Sequence, residues 1–437
     1  LTLSINQKAC GFQFYFESCK IPDNSPTLER SRPSATISAA SLTRVCRDCE
    51  LFFYLEVLQM RSSQAVVKNK SEIEVFKRGL SKSAGKPLVL AFGSTETCEG
   101  VLAAELADTM ADLDLLICST SGHFNDQHIT DEGFCLTSLE FSRTKFKAAV
   151  SKIENALQSQ SIGEKLAREL ASPDLKQVLV FSDGLLVNGT ALANGLTSVL
   201  GEKTVISGGL AGDGSRFKTT LVGWNGKPLS GQVAVIGFYG QSLETAAASM
   251  GGWDAFGPKR LITKSSANVL WELDGKPALG VYKEYLGRHA AELPASALLF
   301  PLSVGIKDAN HTVVRTILSV DDATGAMTFA GDLPQGSEVQ LMKSNIDRLV
   351  SGAEGAAQKC QLSGPAEFAL LVSCVGRRLV MGQRTEEEIE AVQRATESPQ
   401  CVVTGFYSYG ELSPQGKFQK CDLHNQTMTV TLFRENL

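Results

Sequence analysis

The 437-residue chain has no uninterrupted apolar run approaching the roughly 18 residues that a membrane span requires. It has no basic excess: 42 Lys and Arg stand against 47 Asp and Glu, a net charge of -5. A basic nucleic-acid footprint is excluded on that balance. It lacks a disulfide pattern. Four of its 11 cysteines (Cys10, Cys19, Cys46, Cys49) fall in the first 59 residues, and Cys98, Cys118, Cys135, Cys360, Cys374, Cys401 and Cys421 are scattered singly. An odd, unspaced set reads as thiols in a reducing compartment. No ligand set has metal-site spacing, and Cys46-x-x-Cys49 has no His near it. Ser119 and Ser121 lack a G-x-S-x-G elbow. The glycine-rich Gly208–Gly214 is neither a P-loop nor a G-x-G-x-x-G that opens a helix. A soluble cytoplasmic protein with no cofactor and no metal is the expectation.

The first 59 residues differ from the rest. They hold seven aromatics, Phe12, Phe14, Tyr15, Phe16, Phe52, Phe53 and Tyr54, and a Ser/Pro-rich stretch without periodicity. The apolar h-region of a signal peptide is missing. Six acidic residues balance six basic ones, unlike a transit peptide. Residues 1–59 are expected to be a leader or translated upstream sequence with Met60 as the start, and 60–86 a polar extension.

Beyond Lys86 the chain alternates. Pro87–Gly93, Leu113–Ser119, Gln177–Ser182 and Thr204–Gly209 are apolar runs of strand length, with helical stretches between them. Part of this sheet is expected to be parallel. Phe146, Val150, Ile153 and Leu157 recur at helical spacing. From Phe217 to Thr263, short strands and Gly-rich turns, including Asn225-Gly226 with type I′ chemistry, predict an antiparallel meander. Asp347–Gln358 is expected to be helical although Gly352 and Gly355 weaken it. Thr385-Glu-Glu-Glu388 spells a capping box ahead of another helix. Ala369–Cys374, Cys401–Ser408 and Thr427–Phe433 are strands. The fold class is α/β, with mixed parallel and antiparallel sheets flanked by helices, in two related domains. The relation shows as an echo. Aligning Gly122 with Gly410 sets Thr120 opposite Ser408, Ser121 opposite Tyr409 and His123 opposite Glu411. It suggests a duplication with two equivalent loops facing one cleft.

Six segments in order, Leu179–Leu185, Ser207–Asp213, Leu273–Tyr282, Val372–Arg377, Gly405–Leu412 and His424–Thr429, resemble the FIST family. The resemblance runs from about Pro87 to the C-terminus. It implies a FIST N domain over 87–277 and a FIST C domain over 278–437. It further implies a sensory, signal-transduction module that binds a small molecule, an amino acid or related carboxylate, and acts by a change of conformation or protein partner. His123 stands where the family tends to have Glu. Leu42–Glu50 is only a faint echo of an F-box, and no kinase, cyclase or methyl-acceptor output is present.

A zwitterion needs a cation for its carboxylate and acceptors for its amine. The expected ligand-binding residues are Ser119, Thr120, Ser121 and Gly122 in the first loop, and Asp183, Gly184, Gly208, Gly209 and Asp213 in turns after strands, where α/β sheets bind ligands. In the C-terminal half they are Arg315, Cys374, Arg377, Tyr407, Ser408, Tyr409, Gly410 and Glu411. Plainer readings stand beside these. Asp-Gly is ordinary turn chemistry. Arg315, among apolar strand neighbours, reads as a structural ion pair, and Arg377 reads also as a bridge to Glu386–Glu388 or to a helix C-terminus. No catalytic residue is expected. Two alternatives remain: a ubiquitin-ligase-type adaptor, as in F-box members, and a hydrolase or transferase using Cys118 or Cys374, which would need a His and an acid beside the sulfur.

Overall fold

The computed structural model describes residues 3–7, 12–16, 60–80, 86–126, 128–306, 311–415 and 420–436. The chain divides into Leu1–Glu56 and Val57–Leu437. The first unit contains an antiparallel pair, Leu3–Gln7 with Phe12–Phe16. The rest of the stretch expected to be a leader lies outside the described residues.

In the second unit three sheets follow one plan. Each centres on a parallel pair joined through one or two helices: Leu88–Gly93 with Asp114–Ser119, Leu175–Ser182 with Val205–Leu210, and Phe368–Cys374 with Val402–Ser408. The first strand of each pair takes an antiparallel neighbour, respectively Phe134–Phe141, Gln232–Tyr239 and Met428–Glu435. An edge strand follows, respectively Met60–Val67, Lys145–Lys152 and Leu243–Met250. The central strands read as continuous apolar runs because both faces are covered; Leu88–Phe92 are all fully buried.

The second strand of each pair is completed by a strand from another repeat. Val222–Trp224 of the second repeat joins the first sheet. Gly410–Gln415 of the third joins the second. His123–Asn125 of the first joins the third. The exchange is cyclic, and the loop echo between the first and third repeats has a structural counterpart in the second. Three equivalent backbone bonds close the ring: Gly212 N–H donates to the Ser119 carbonyl (3.0 Å), Ser121 N–H to Tyr407 (2.8 Å) and Tyr409 N–H to Leu210 (3.2 Å). The interfaces between sheets obey the same register. Thr137 donates to Thr404 (2.9 Å) and Thr431 to Ser207 (2.8 Å). The third place is held by Ile236 and Leu116 of one apolar cluster. Phe92, Phe181 and Phe406, one from each repeat, pack with centroids 4.9–6.2 Å apart.

The third repeat carries an insertion between Leu243–Met250 and the helix Ile346–Lys359. It is a fourth sheet, in the order His311–Arg315, Leu302–Ile306, Glu338–Lys343, Asp254–Ser266, Val269–Leu273, Ala326–Phe329, Ile317–Asp321. It has its own core around Ile262, Tyr282, Met327 and Phe329.

Four local expectations are corrected. The strands read as a meander, Val222–Trp224, Gln232–Tyr239, Leu243–Met250 and Asp254–Ser266, lie in four different sheets. Residues 145–152 form a strand, not a helix, because Phe146, Ala148 and Val150 alternate onto an apolar cluster. Asn225 takes φ 51°, but Gly226 does not enter the left-handed region, so the turn is not type I′. The Thr385 side chain makes no cap bond and its hydroxyl turns back to the Gly382 carbonyl. The Glu388 side chain is drawn inward to Arg377 instead. Gly352, a weak helix former, has a packing reason. A Cβ there would collide with the Gly251 carbonyl.

Candidate functional site

The C-terminal ends of the three parallel pairs meet on the axis of the ring, and most residues expected to bind ligand meet there with them. Each is also engaged with the protein. The Ser119 hydroxyl donates to the Gly212 carbonyl (3.0 Å) and accepts from Leu221 N–H (2.9 Å). Thr120 donates through N–H and Oγ1 to the Gly93 carbonyl (2.9 and 3.1 Å). The Ser121 hydroxyl accepts from Gly214 N–H (2.9 Å). Gly212 must lack a side chain, since a Cβ would sit 2.8 Å from Ser121 N and 3.0 Å from the Tyr407 carbonyl.

Glu411 is fully buried beside this junction. Its carboxyl accepts from Ser408 Oγ (2.8 Å), Thr427 N–H (3.1 Å) and Thr427 Oγ1 (2.9 Å), and no cation bonds to it among the described residues. Burial pushes it up to about 8, against these hydrogen bonds. Folded Glu411 therefore keeps its proton to about pH 8, where an ordinary Glu releases it near 4.5. Between these values the folded chain binds more protons than the unfolded one, so this group makes stability fall as pH rises. Glu411→Gln is expected to flatten the decline in melting temperature between pH 5 and 8. A pH profile parallel to that of the wild type would contradict this.

Tyr409 stacks on Phe217 (4.5 Å); its hydroxyl donates to the Gly214 carbonyl (3.1 Å) and accepts from Phe217 N–H (3.2 Å). Gly410 pairs with Leu210. Cys374 is buried, and burial raises its thiol strongly; Cys118 is in the same state. Neither is the low-pKa, exposed thiolate that nucleophilic chemistry uses.

The two aspartates build turns. Asp183 accepts from Leu185 and Leu186 N–H (2.8 and 2.7 Å), Ser230 Oγ (3.2 Å) and Gly231 N–H (2.9 Å). Gly184 N–H donates to Thr220 (2.9 Å). Asp213 accepts from Arg216 Nε (2.9 Å) and from Lys218 and Thr219 N–H (3.2 Å each). Gly208 takes φ 138° inside its strand and, with Gly209, lies against neighbouring strands.

Three arginines behave differently. Arg315 is buried and ties the inserted sheet to the ring through the Asp332 (3.1 Å) and Leu423 (2.8 Å) carbonyls, with Asp422 3.9 Å away. Arg377 is fully buried in an internal ion pair. Its Nε and Nη2 donate to Glu388 (3.0 and 2.7 Å), and it also reaches the Gly251 and Leu349 carbonyls (3.2 and 2.9 Å). Tyr407 and Ser373 hydroxyls donate to the other Glu388 oxygen (2.7 and 3.0 Å). Arg378, which the sequence reading passed over, turns the other way. It donates to the Ser121 carbonyl (2.6 Å) and forks onto Asp131 (2.8 and 2.7 Å). The Arg378 hydrogen bond holds Asp131 below the usual carboxylate range. Beside them His123 is buried, and burial pushes its imidazole down to about 4. The only signal for Arg378 in the sequence is that two arginines are adjacent. Helical geometry separates them by about 100° of rotation.

A groove of about 390 Å³ runs past Ala357, Cys360, Leu362, Thr396 and Leu432, and a water-sized pocket of about 10 Å³ lies in the inserted sheet beside Arg260 and Tyr285. Neither includes a residue expected to bind ligand. Among the described residues no helix is long and apolar enough to cross a membrane, and no cluster of three or more His, Cys, Asp or Glu is placed to hold a metal.

A cyclic three-repeat α/β ring with an inserted sheet is thus the class of protein defined here. The chain belongs to the FIST family: residues 87–276 match the FIST N domain and residues 278–414 the FIST C domain. Such domains are generally sensory, signal-transduction domains. The boundary between the two falls inside the inserted sheet, between Val269–Leu273 and the helix Ala278–Leu286. The chain is 25% identical over 341 residues to the uncharacterized protein MJ1623 of Methanocaldococcus jannaschii, covering 68% of this chain and 64% of that protein. The match thus spans just under two thirds of that relative's length. Two solved structures align with 86% of the chain. They are a cyanuic acid hydrolase from A. caulinodans (99% of that chain, 9% identity, TM-score 0.36) and a chorismatase (98%, 8%, 0.34). Likeness at that level transfers no chemistry to this chain.

Proposed function

We propose that this chain is a sensory module for a small carboxylate-bearing molecule of the amino-acid class, and that binding changes its conformation or its protein partner. The observation that carries the reading is the convergence of three strand-end loops on one axis, with a buried carboxyl that no cation bonds among the described residues, Glu411, beside them and a partly buried guanidinium, Arg378, at the rim. An ammonium placed beside Glu411 would favour the ionised form of that carboxyl, and a carboxylate matches Arg378. The loops that would sense the ligand also hold the repeats together, so occupancy and architecture are coupled.

A thermal-shift screen of the full chain against amino acids and simple carboxylates tests this. A ligand that binds only the folded state, at 100 times its dissociation constant, stabilises by about 2.7 kcal/mol. A selective, saturable rise in melting temperature is expected. A folded chain whose midpoint moves with none of them would refute the reading.

A further inference from the structure

We propose that Arg378 is the seat of the ligand carboxylate and Asp131 its internal stand-in, so that a bound carboxylate unlatches the arm formed by His123–Asn125 and His128–Thr130 from the third sheet. This rests on the reading of the chain as a carboxylate sensor.

The guanidinium is fixed by the protein. It donates to the Ser121 carbonyl (2.6 Å) and lies over the Tyr407 ring (5.6 Å to the centroid). It also fills the space that Gly122, at φ 111°, leaves by having no Cβ. The planar fork then aims at a carboxylate, as Arg does in bidentate recognition. That carboxylate is the replaceable partner. The Asp131 side chain is 57% exposed, whereas that of Arg378 is 27% exposed. A cation held in place and an anion at the surface make a preorganised site with an exchangeable occupant.

Asp131 ends the arm that the first repeat lends to the third. His123–Asn125 pairs with Thr404–Phe406, and His128–Thr130 folds back on it. Beyond the strand pairing, buried Phe124 packs edge-on to Tyr407 (4.8 Å), Asp126 N–H donates to Gln64 (3.0 Å), and the outer part is held by Arg378, by Glu386 accepting from Ile129 N–H (3.3 Å) with His128 3.5 Å away, and by Gln393 donating to Asp126 (2.9 Å). Arg378 is the bidentate tie among these. A carboxylate that takes it acts directly on the joint between the FIST N and FIST C parts.

The test uses the full chain with L-glutamate, L-leucine and acetate as probes, by calorimetry, alongside hydrogen exchange. Asp131→Asn is expected to bind a responding probe about two- to fivefold more tightly, because the competing carboxylate is gone. Arg378→Gln is expected to lose that binding, and Arg378→Lys, which keeps charge without the fork, to weaken it about tenfold or more. Amides of His123–Asn125 and His128–Thr130 are expected to exchange faster in Asp131→Asn with no probe present, and in the wild type with saturating probe. Undiminished binding in a folded Arg378→Gln overturns this assignment and leaves the sensor reading standing. Unchanged arm exchange in Asp131→Asn overturns the latch whatever binds. A wild type that responds to no probe counts against the sensor reading and the carboxylate seat together.

Discussion

Arg377→Ala is expected to destabilise the protein by about 3–5 kcal/mol, the range for removing one partner of a buried ion pair. From sequence, the same substitution promises lost ligand binding in a folded chain. The structure shifts the expectation to stability. Arg377 and Glu388 both have 0% side-chain exposure, and Glu388 also serves the hydroxyls of Tyr407 and Ser373. Alanine would strand that carboxylate and release the carbonyls of Gly251, at the entry to the inserted sheet, and of Leu349, in the helix Ile346–Lys359. The loss should appear as a lower urea midpoint with unchanged slope. A cycle with Arg377→Met and Glu388→Gln isolates the pair, since glutamine keeps an acceptor for Tyr407. The double variant should lose less than the sum of the singles. Strict additivity would show that the ion pair is not the cause.

The second large effect concerns the ring. A fragment of residues 60–276 is expected not to fold cooperatively. It lacks Gly410–Gln415, so Val205–Leu210 becomes an open edge, a template for aggregation. Its arm of His123–Asn125 and His128–Thr130 has no sheet to join. Two of the three axial bonds vanish with Tyr407 and Tyr409. Phe92 and Phe181 lose Phe406, and truncating a buried Phe alone costs about 3–5 kcal/mol. The cut also runs through the inserted sheet. Size-exclusion chromatography and urea unfolding decide the matter. A monodisperse fragment with a sharp transition would show that the cyclic exchange is dispensable.

Most of the buried strands and the family were legible in the residues alone. Apolar runs in Pro87–Gly93, Gln177–Ser182 and Ala369–Cys374 mark strands covered on both faces, and six ordered segments point to FIST N and FIST C. Hydrophobic period reports burial and not the partner, so strands read as one meander went to four sheets. The second repeat was hidden for a similar reason. Leu210-Ala211-Gly212 shares no residue with Ser119-Thr120-Ser121 or Tyr407-Ser408-Tyr409, because the axis is held by backbone N–H and C=O groups that any residue supplies. Choosing between Arg377 and Arg378 needed the third dimension as well. One helical step turns the first inward to Glu388 and the second outward to Asp131, and that rotation is fixed by packing against distant parts of the chain.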